Sequence, residues 1–263
     1  MDPITSTQNS QVKELLKLDK PRGRRAAGLF KIEGLREIQR AGKNQYKFTK
    51  IFFCKKLLSS TAEDFLHRIN AETKIEVSQN VFSRIAYRDN SDGLLAVAES
   101  KNHELDTLIH DENNLYLVIE TVEKPGNLGA LLRTADAAGI DAVIVCDNNT
   151  DIYNPNVIRS SIGCLFTKRL IVADSENTID FFRKNKVRIF AAALQNSESY
   201  TSADYTKSSA IVMGSEADGL SETWRQAAEN IIAIPMNGDI DSLNVSVSAA
   251  VLIYEAIRQR TKK

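Results

Sequence analysis

The chain has 263 residues, 43% of them apolar, and 34 Lys plus Arg balance 34 Asp plus Glu. That length suffices for one large domain or two ordinary ones with buried cores, and no run reaches the roughly 18 to 20 apolar residues of a membrane span. Cys54, Cys146 and Cys164 form no CxxC pair, and His67, His103 and His110 have no zinc-ligand spacing with them, so neither a disulfide framework nor a metal site is indicated.

The opening "MDPITSTQNSQ" lacks the basic start and apolar stretch of a signal peptide, and a cytoplasmic location is expected. Charge is then segregated along the chain. Residues 11–56 carry 14 basic residues against four acidic ones, which leaves the remainder net acidic. Such a segment is either a footprint for a polyanion or a solvated basic face. Its densest part, "KPRGRR", offers Lys20, Arg22, Arg24 and Arg25 as phosphate contacts. Helical spacing in "SQVKELLKLD", strands "GLFKIE" and "FTKIFFC", a Ser/Thr-started helix "SSTAEDFLHRI" and strands "TKIEV" and "GLLAVAE" describe a small α/β domain. The polar stretch 100–114 separates it from the rest of the chain, giving domains 1–107 and 108–263.

From residue 115 onward, apolar strands "LYLVIE", "DAVIVC", "RIFAAAL", "SAIVMG" and "NIIAIP" alternate with helices near 126–139, 155–162, 176–185, 221–229 and 244–261. Near-continuous apolar strands between helices predict a mostly parallel sheet covered on both faces. Ligands in such folds bind outside the carboxyl ends of the strands, which points to the loops after Glu120, Gly214 and Pro235.

Three segments around those loops carry chemistry. In "EKPGNLGALLRTADAAGID", Leu128, Leu131, Leu132 and Ala135 form an apolar stripe, and Arg133 lies about 140° around the helix from Leu128. Arg133 is therefore either a solvent-facing arginine or a working group. Asn127 stands in the first turn, and Gly139 suits the helix end. "AIVMGSEADGLSETW" places a glycine loop after a strand, with Ser221 as the expected N-cap, yet it has no Walker lysine and the chain has no GxGxxG. "IPMNGDIDSLNVSVSAAV" is weakly helical by propensity, so tertiary contacts must set where its helix starts.

Together, "PGNLGALLRTADAAG", "MGSEADGLS" and "IPM…SLNVSVSAAV" resemble, in order and spacing, the three motifs of the SpoU family of RNA ribose 2′-O-methyltransferases, within the SPOUT superfamily. More loosely, "GRRAAGLFKIEGLREIQRAG" is similar to the substrate-binding domain of rRNA-directed members, an α/β fold like that of RNA-binding ribosomal proteins. The resemblance implies an α/β catalytic domain with a SPOUT-type parallel sheet and a trefoil knot, S-adenosyl-L-methionine as cofactor, and a homodimer. Periodicity alone predicts an unknotted sheet, since true knots are nearly absent from proteins.

Carried over by position, Leu194, Gly214, Ile234, Met236 and Leu243 would form the cofactor pocket, with Asn127, Arg133, Glu216, Ser242 and Asn244 as the catalytic surround. Lys124 departs from the acidic or small residue many members have before the proline, and is read as an added phosphate contact. The implied reaction moves a methyl group to a ribose 2′-hydroxyl, with large-subunit (23S) rRNA expected ahead of tRNA; a non-catalytic ribosome-assembly protein is the rival from another class. A guanidinium keeps its proton, so Arg133 is expected to act as a charged clamp rather than a base. Deleting residues 1–100 is expected to remove RNA activity without unfolding the rest.

Overall fold

The computed structural model describes residues 2–88, 91–147 and 150–261. Two compact units emerge: residues up to Asn102 together with Asp151–Thr167, and His103–Thr150 together with the chain from Lys168 onward.

The first unit is a four-stranded sheet in the order β1-β4-β2-β3, built from β1 (Leu29–Glu33), β2 (Phe48–Phe53), β3 (Thr73–Glu76) and β4 (Leu94–Glu99). Strand β4 runs antiparallel to both β1 and β2, while β2 and β3 are parallel. Helices α1 (Ser10–Lys17) and α5 (Gln79–Ile85) close one core, where Val12, Leu15, Phe82 and Ile85 meet Phe52, Leu95 and Val97. The side chains of Asn9, Ser59 and Ser78 cap α1, α4 (Ser60–Arg68) and α5, each accepting a backbone N–H of the first turn.

"KPRGRR" is not an open basic stretch. It folds as α2 (Pro21–Ala27), with Pro21 in the first turn, where its missing N–H costs nothing. A Cβ at Gly23 would stand 2.0 Å from the Lys17 carbonyl oxygen, so only glycine lets α2 lie on the end of α1. That packing turns Arg24 inward. It is 3% exposed, and it donates from Nε to Asp151 Oδ2 at 2.8 Å and from Nη1 to the Leu18 carbonyl at 2.7 Å. Arg24 is therefore a structural ion-pair partner and not a phosphate contact. Lys20, Arg22 and Arg25 stay exposed, and among the described residues none has an ion pair.

A second difference concerns the boundary. Asp151–Thr167, from the methylase half of the sequence, folds with the first unit: α7 (Pro155–Ser160) packs on β1, and Arg40 Nη1 donates to the Ile162 carbonyl at 2.6 Å. Phe30 stacks on Tyr153 with ring centroids 3.9 Å apart, and Phe166 meets Tyr46 edge-on. A cut near residue 100 would strip these aromatic rings of their partners, so a deletion of residues 1–100 does not leave an undisturbed remainder.

The second unit is a seven-stranded parallel sheet ordered β7-β6-β5-β10-β8-β11-β9. Its strands are β5 (Leu115–Glu120), β6 (Ala142–Cys146), β7 (Arg169–Ala173), β8 (Arg188–Ala192), the short β9 (Glu198–Ser199), β10 (Ser209–Met213) and β11 (Asn230–Ala233). The central β5, β6 and β10 are buried at every position, as a sheet covered on both faces requires. Tyr116, Val118, Ile144 and Val212 pack under α8 (Ser175–Lys184) and α9 (Glu222–Ala227) through Phe182 and Trp224, whose Nε1 donates to Ser175 Oγ at 2.7 Å. Strand alternation turns Leu117, Ile119 and Ile211 to the opposite face, covered by α6 (Pro125–Ala138) and α10 (Val245–Thr261). On α6 the predicted stripe is fully buried: Leu128, Leu131, Leu132 and Ala135 are each 0% exposed. Burial of this kind contributes about 2 kcal/mol per leucine and fixes the rotation of α6.

At its far end α10 is tied down by Arg260, whose guanidinium donates to the carbonyls of Asn113, Asn114, Tyr205 and Lys207. Among the described residues no helix is long and apolar enough to cross a membrane, and no group of three or more His, Cys, Asp or Glu is placed to hold a metal.

Candidate active site

Parallel strands end on one edge of a sheet, so the loops after β5, β8, β10 and β11 meet there. They enclose a cleft of about 610 Å³. All five residues expected for the cofactor pocket, Leu194, Gly214, Ile234, Met236 and Leu243, line it. Gln195, Leu220, Arg225 and Leu252 line it too, and were not anticipated because nothing in their local sequence marks them.

The loop from Gly214 to Gly219 is tightly folded. Ser215 N–H donates to the Gly219 carbonyl at 3.0 Å, and a Cβ on Gly214 would stand 2.2 Å from the Gly219 carbonyl carbon and 2.5 Å from Leu220 N. Side-chain-free backbone is thus a requirement at position 214. Ser221 holds the N-cap position of α9 but makes no side-chain cap; among the described residues its buried Oγ has no hydrogen-bond partner. The Glu120 carboxylate, 4% exposed at the end of β5, accepts the Ser221 N–H at 2.8 Å instead. An acid closing the otherwise apolar strand "LYLVIE" was the one available signal for this anchor.

Three side chains, from the starts of two helices, converge on Glu216. Its Oε1 accepts from Asn127 Nδ2, in the first turn of α6, and from Asn244 Nδ2 at 3.1 Å; its Oε2 accepts from Lys124 Nζ. Asn244 Nδ2 also lies 3.4 Å from Asn127 Oδ1, and Asn244 Oδ1 caps α10 by accepting from Ser246 N at 3.0 Å. The start of this weakly helical segment is therefore set by tertiary contacts. Lys124 first, and Asn127 with it, hold the Glu216 carboxyl below its usual carboxylate range, and Glu216 raises the Lys124 ammonium in return. Glu216 stays ionised at neutral pH. Because its folded-state value is the depressed one, this interaction is lost only as pH falls through that value.

Two expected residues stand outside this cluster. Ser242 lines the cleft but donates to Asp241 Oδ1 at 3.2 Å. Arg133 is exposed on α6, and among the described residues its side chain makes no hydrogen bond or ion pair. Six residues past Asn127, it is roughly 9 Å further along the helix and about 120° around it. Lys124, read from sequence as a phosphate contact, is engaged by Glu216.

A parallel α/β sheet with a ligand-sized cleft outside its strand ends, lined by apolar side chains and by convergent polar groups alike, defines a small-molecule-binding enzyme domain. Residues 114–254 match the SpoU rRNA Methylase family and residues 9–96 the MRM3-like substrate binding domain. The chain belongs to the SpoU family. It is 29% identical to the 23S rRNA (guanosine(2553)-2′-O)-methyltransferase RlmP of Bacillus subtilis, over 97% of this chain and 98% of that one. A crystal structure of an RNA 2′-O ribose methyltransferase is similar at TM-score 0.88 and 38% identity, covering 99% of this chain and 100% of that one. The SpoU methyltransferase AviRb from Streptomyces viridochromogenes, in complex with the cofactor AdoMet, is similar at TM-score 0.89 and 25% identity, covering 97% and 100%.

Proposed function

We propose that this protein transfers a methyl group from S-adenosyl-L-methionine to a ribose 2′-hydroxyl of RNA, with 23S rRNA as the substrate, in the cytoplasm. The observation that carries the reading is the meeting of Asn127, Glu216 and Asn244 beside the cleft lined by Leu194, Gly214, Ile234, Met236 and Leu243. The residues present fit the cofactor. Leu194, Ile234, Met236 and Leu243 offer apolar walls, and the cradle at Gly214, which a Cβ would fill, lets backbone approach a ligand directly. When bound, the cofactor's sulfonium supplies an electrophilic methyl group.

The protein's part is to bind, orient and stabilise charge. Glu216 holds the amides of Asn127 and Asn244 and so joins the starts of α6 and α10 into one rim. Arg133 remains charged, grips an RNA phosphate or the 2′-oxygen, and stabilises the alkoxide as the hydroxyl proton passes to solvent water. Its exposed position outside the cluster of its own chain supports a homodimer in which it serves the neighbouring site. Val247 and Tyr254, 48% and 51% exposed and seven residues apart on one face of α10, support a contact there. The trefoil knot belongs to the same proposal. Lys20, Arg22 and Arg25 supply phosphate contacts in the RNA-binding unit.

Calorimetry with S-adenosyl-L-methionine tests the reading cheaply. Saturable binding that is weakened by substitutions lining the cleft is expected. An absence of binding, with RNA affinity retained, would favour a non-catalytic assembly protein.

A further inference from the structure

Lys124 is oddly placed. It is the N-cap residue of α6, at the positive end of the helix dipole, where a cation is disfavoured and an anion preferred. Its side chain caps nothing and is 69% exposed, so neither packing nor capping accounts for it. The geometry supplies another account. Glu216 Oε1 already has two amide donors, from Asn127 and Asn244, whereas Lys124 Nζ is the one side-chain donor to Oε2 among the described residues. A carboxylate held at one oxygen can turn about its terminal torsion, which is broad and roughly two-fold. Held at both, it has one orientation, and the two asparagine amides that bond to it are fixed with it.

We infer that Lys124 is a positioning residue: its ammonium locks the Glu216 carboxylate in the orientation that sets Asn127 and Asn244 at the rim of the cleft. This rests on the methyl-transfer reading and deepens it. It also replaces the phosphate-contact role for Lys124. The neighbouring charges do not duplicate the lock: Glu123, Asp218, Arg225 and Asp241 line the cleft or the recess beside it, and none bonds to Glu216. The depressed Glu216 carboxyl, for which Lys124 is the largest cause, is in keeping with the same contact.

The test uses the full chain with carbon-13-labelled glutamate, the Glu216 resonance being assigned by its loss in Glu216→Gln. Lys124→Met should raise the Glu216 titration midpoint toward the ordinary carboxylate value. It should also lower kcat on rRNA by about threefold to fivefold, the size an exposed ion pair supports, with KM for RNA little changed. Lys124→Arg should recover both. An unmoved midpoint in Lys124→Met overturns the inference. So does an unchanged kcat with raised KM for RNA and a shallower salt dependence, which is the signature of a phosphate contact. The side chain is exposed, and an unchanged Tm checks that the variant keeps its fold. If the wild-type protein fails to methylate RNA, the methyl-transfer reading falls, while the titration still decides whether Lys124 holds Glu216.

Discussion

Replacing Gly214 by alanine adds one methyl group where the cleft has no room for it. The new Cβ would stand 2.2 Å from the Gly219 carbonyl carbon, 2.3 Å from its oxygen and 2.5 Å from Leu220 N. All three are backbone atoms, so no side chain can swing aside. Restoring ordinary contact requires the Gly214–Gly219 loop to open by roughly 1 Å, and overpacking of this kind costs about 1–3 kcal/mol. The same loop carries Glu216 and walls the cleft, and a misplacement of about 1 Å at a reacting site costs on the order of a hundredfold. Gly214→Ala should therefore lower Tm by a few degrees, weaken S-adenosyl-L-methionine by at least about tenfold in calorimetry, and reduce methylation by about a hundredfold. Binding within twofold of wild type would refute the assignment of this loop to the cofactor.

Glu120→Ala should loosen the other end of that loop by removing the acceptor for Ser221 N–H, raising KM for the cofactor, while Glu120→Gln, which keeps an acceptor oxygen, should retain most of the affinity. Arg24→Ala leaves Asp151 without its buried partner and should cost about 3 kcal/mol in denaturant unfolding, whereas Arg22→Ala should be near neutral there. Arg22→Ala with Arg25→Ala should instead weaken RNA binding and reduce the slope of log K against log salt by about two. Arg133→Ala should abolish methylation while sparing cofactor binding. Mixing it with Asn244→Ala restores activity only if Arg133 serves the neighbouring subunit, because only then does a mixed dimer hold one complete site.

The sheet and the cleft were legible because their signals are local. The run "LYLVIE" declares a strand buried on both faces, and glycine, proline and asparagine loops mark where such strands end. The three motifs then marked candidate site residues, and the structure brings Asn127, Glu216 and Asn244 together. Arg24 was misread because helical phase decides whether an arginine faces water, and "KPRGRR" is too short and too polar to reveal its phase; only the approach of Gly23 to Lys17 determines it. The docking of Asp151–Thr167 was hidden for a different reason. Stacking of Tyr153 on Phe30 joins residues far apart in the chain, and no periodicity reports such pairings. The same holds for the bond between Glu120 and Ser221, and for the ion pair between Lys124 and Glu216.

The most direct measurement is methyl transfer from labelled S-adenosyl-L-methionine to ribosomal RNA and to tRNA, with the modified atom mapped. A ribose 2′-O-methyl group on 23S rRNA is expected, lost in Arg133→Ala and in Glu216→Ala. A methyl group on a base, transfer to tRNA alone, or no transfer by protein that binds the cofactor would contradict it.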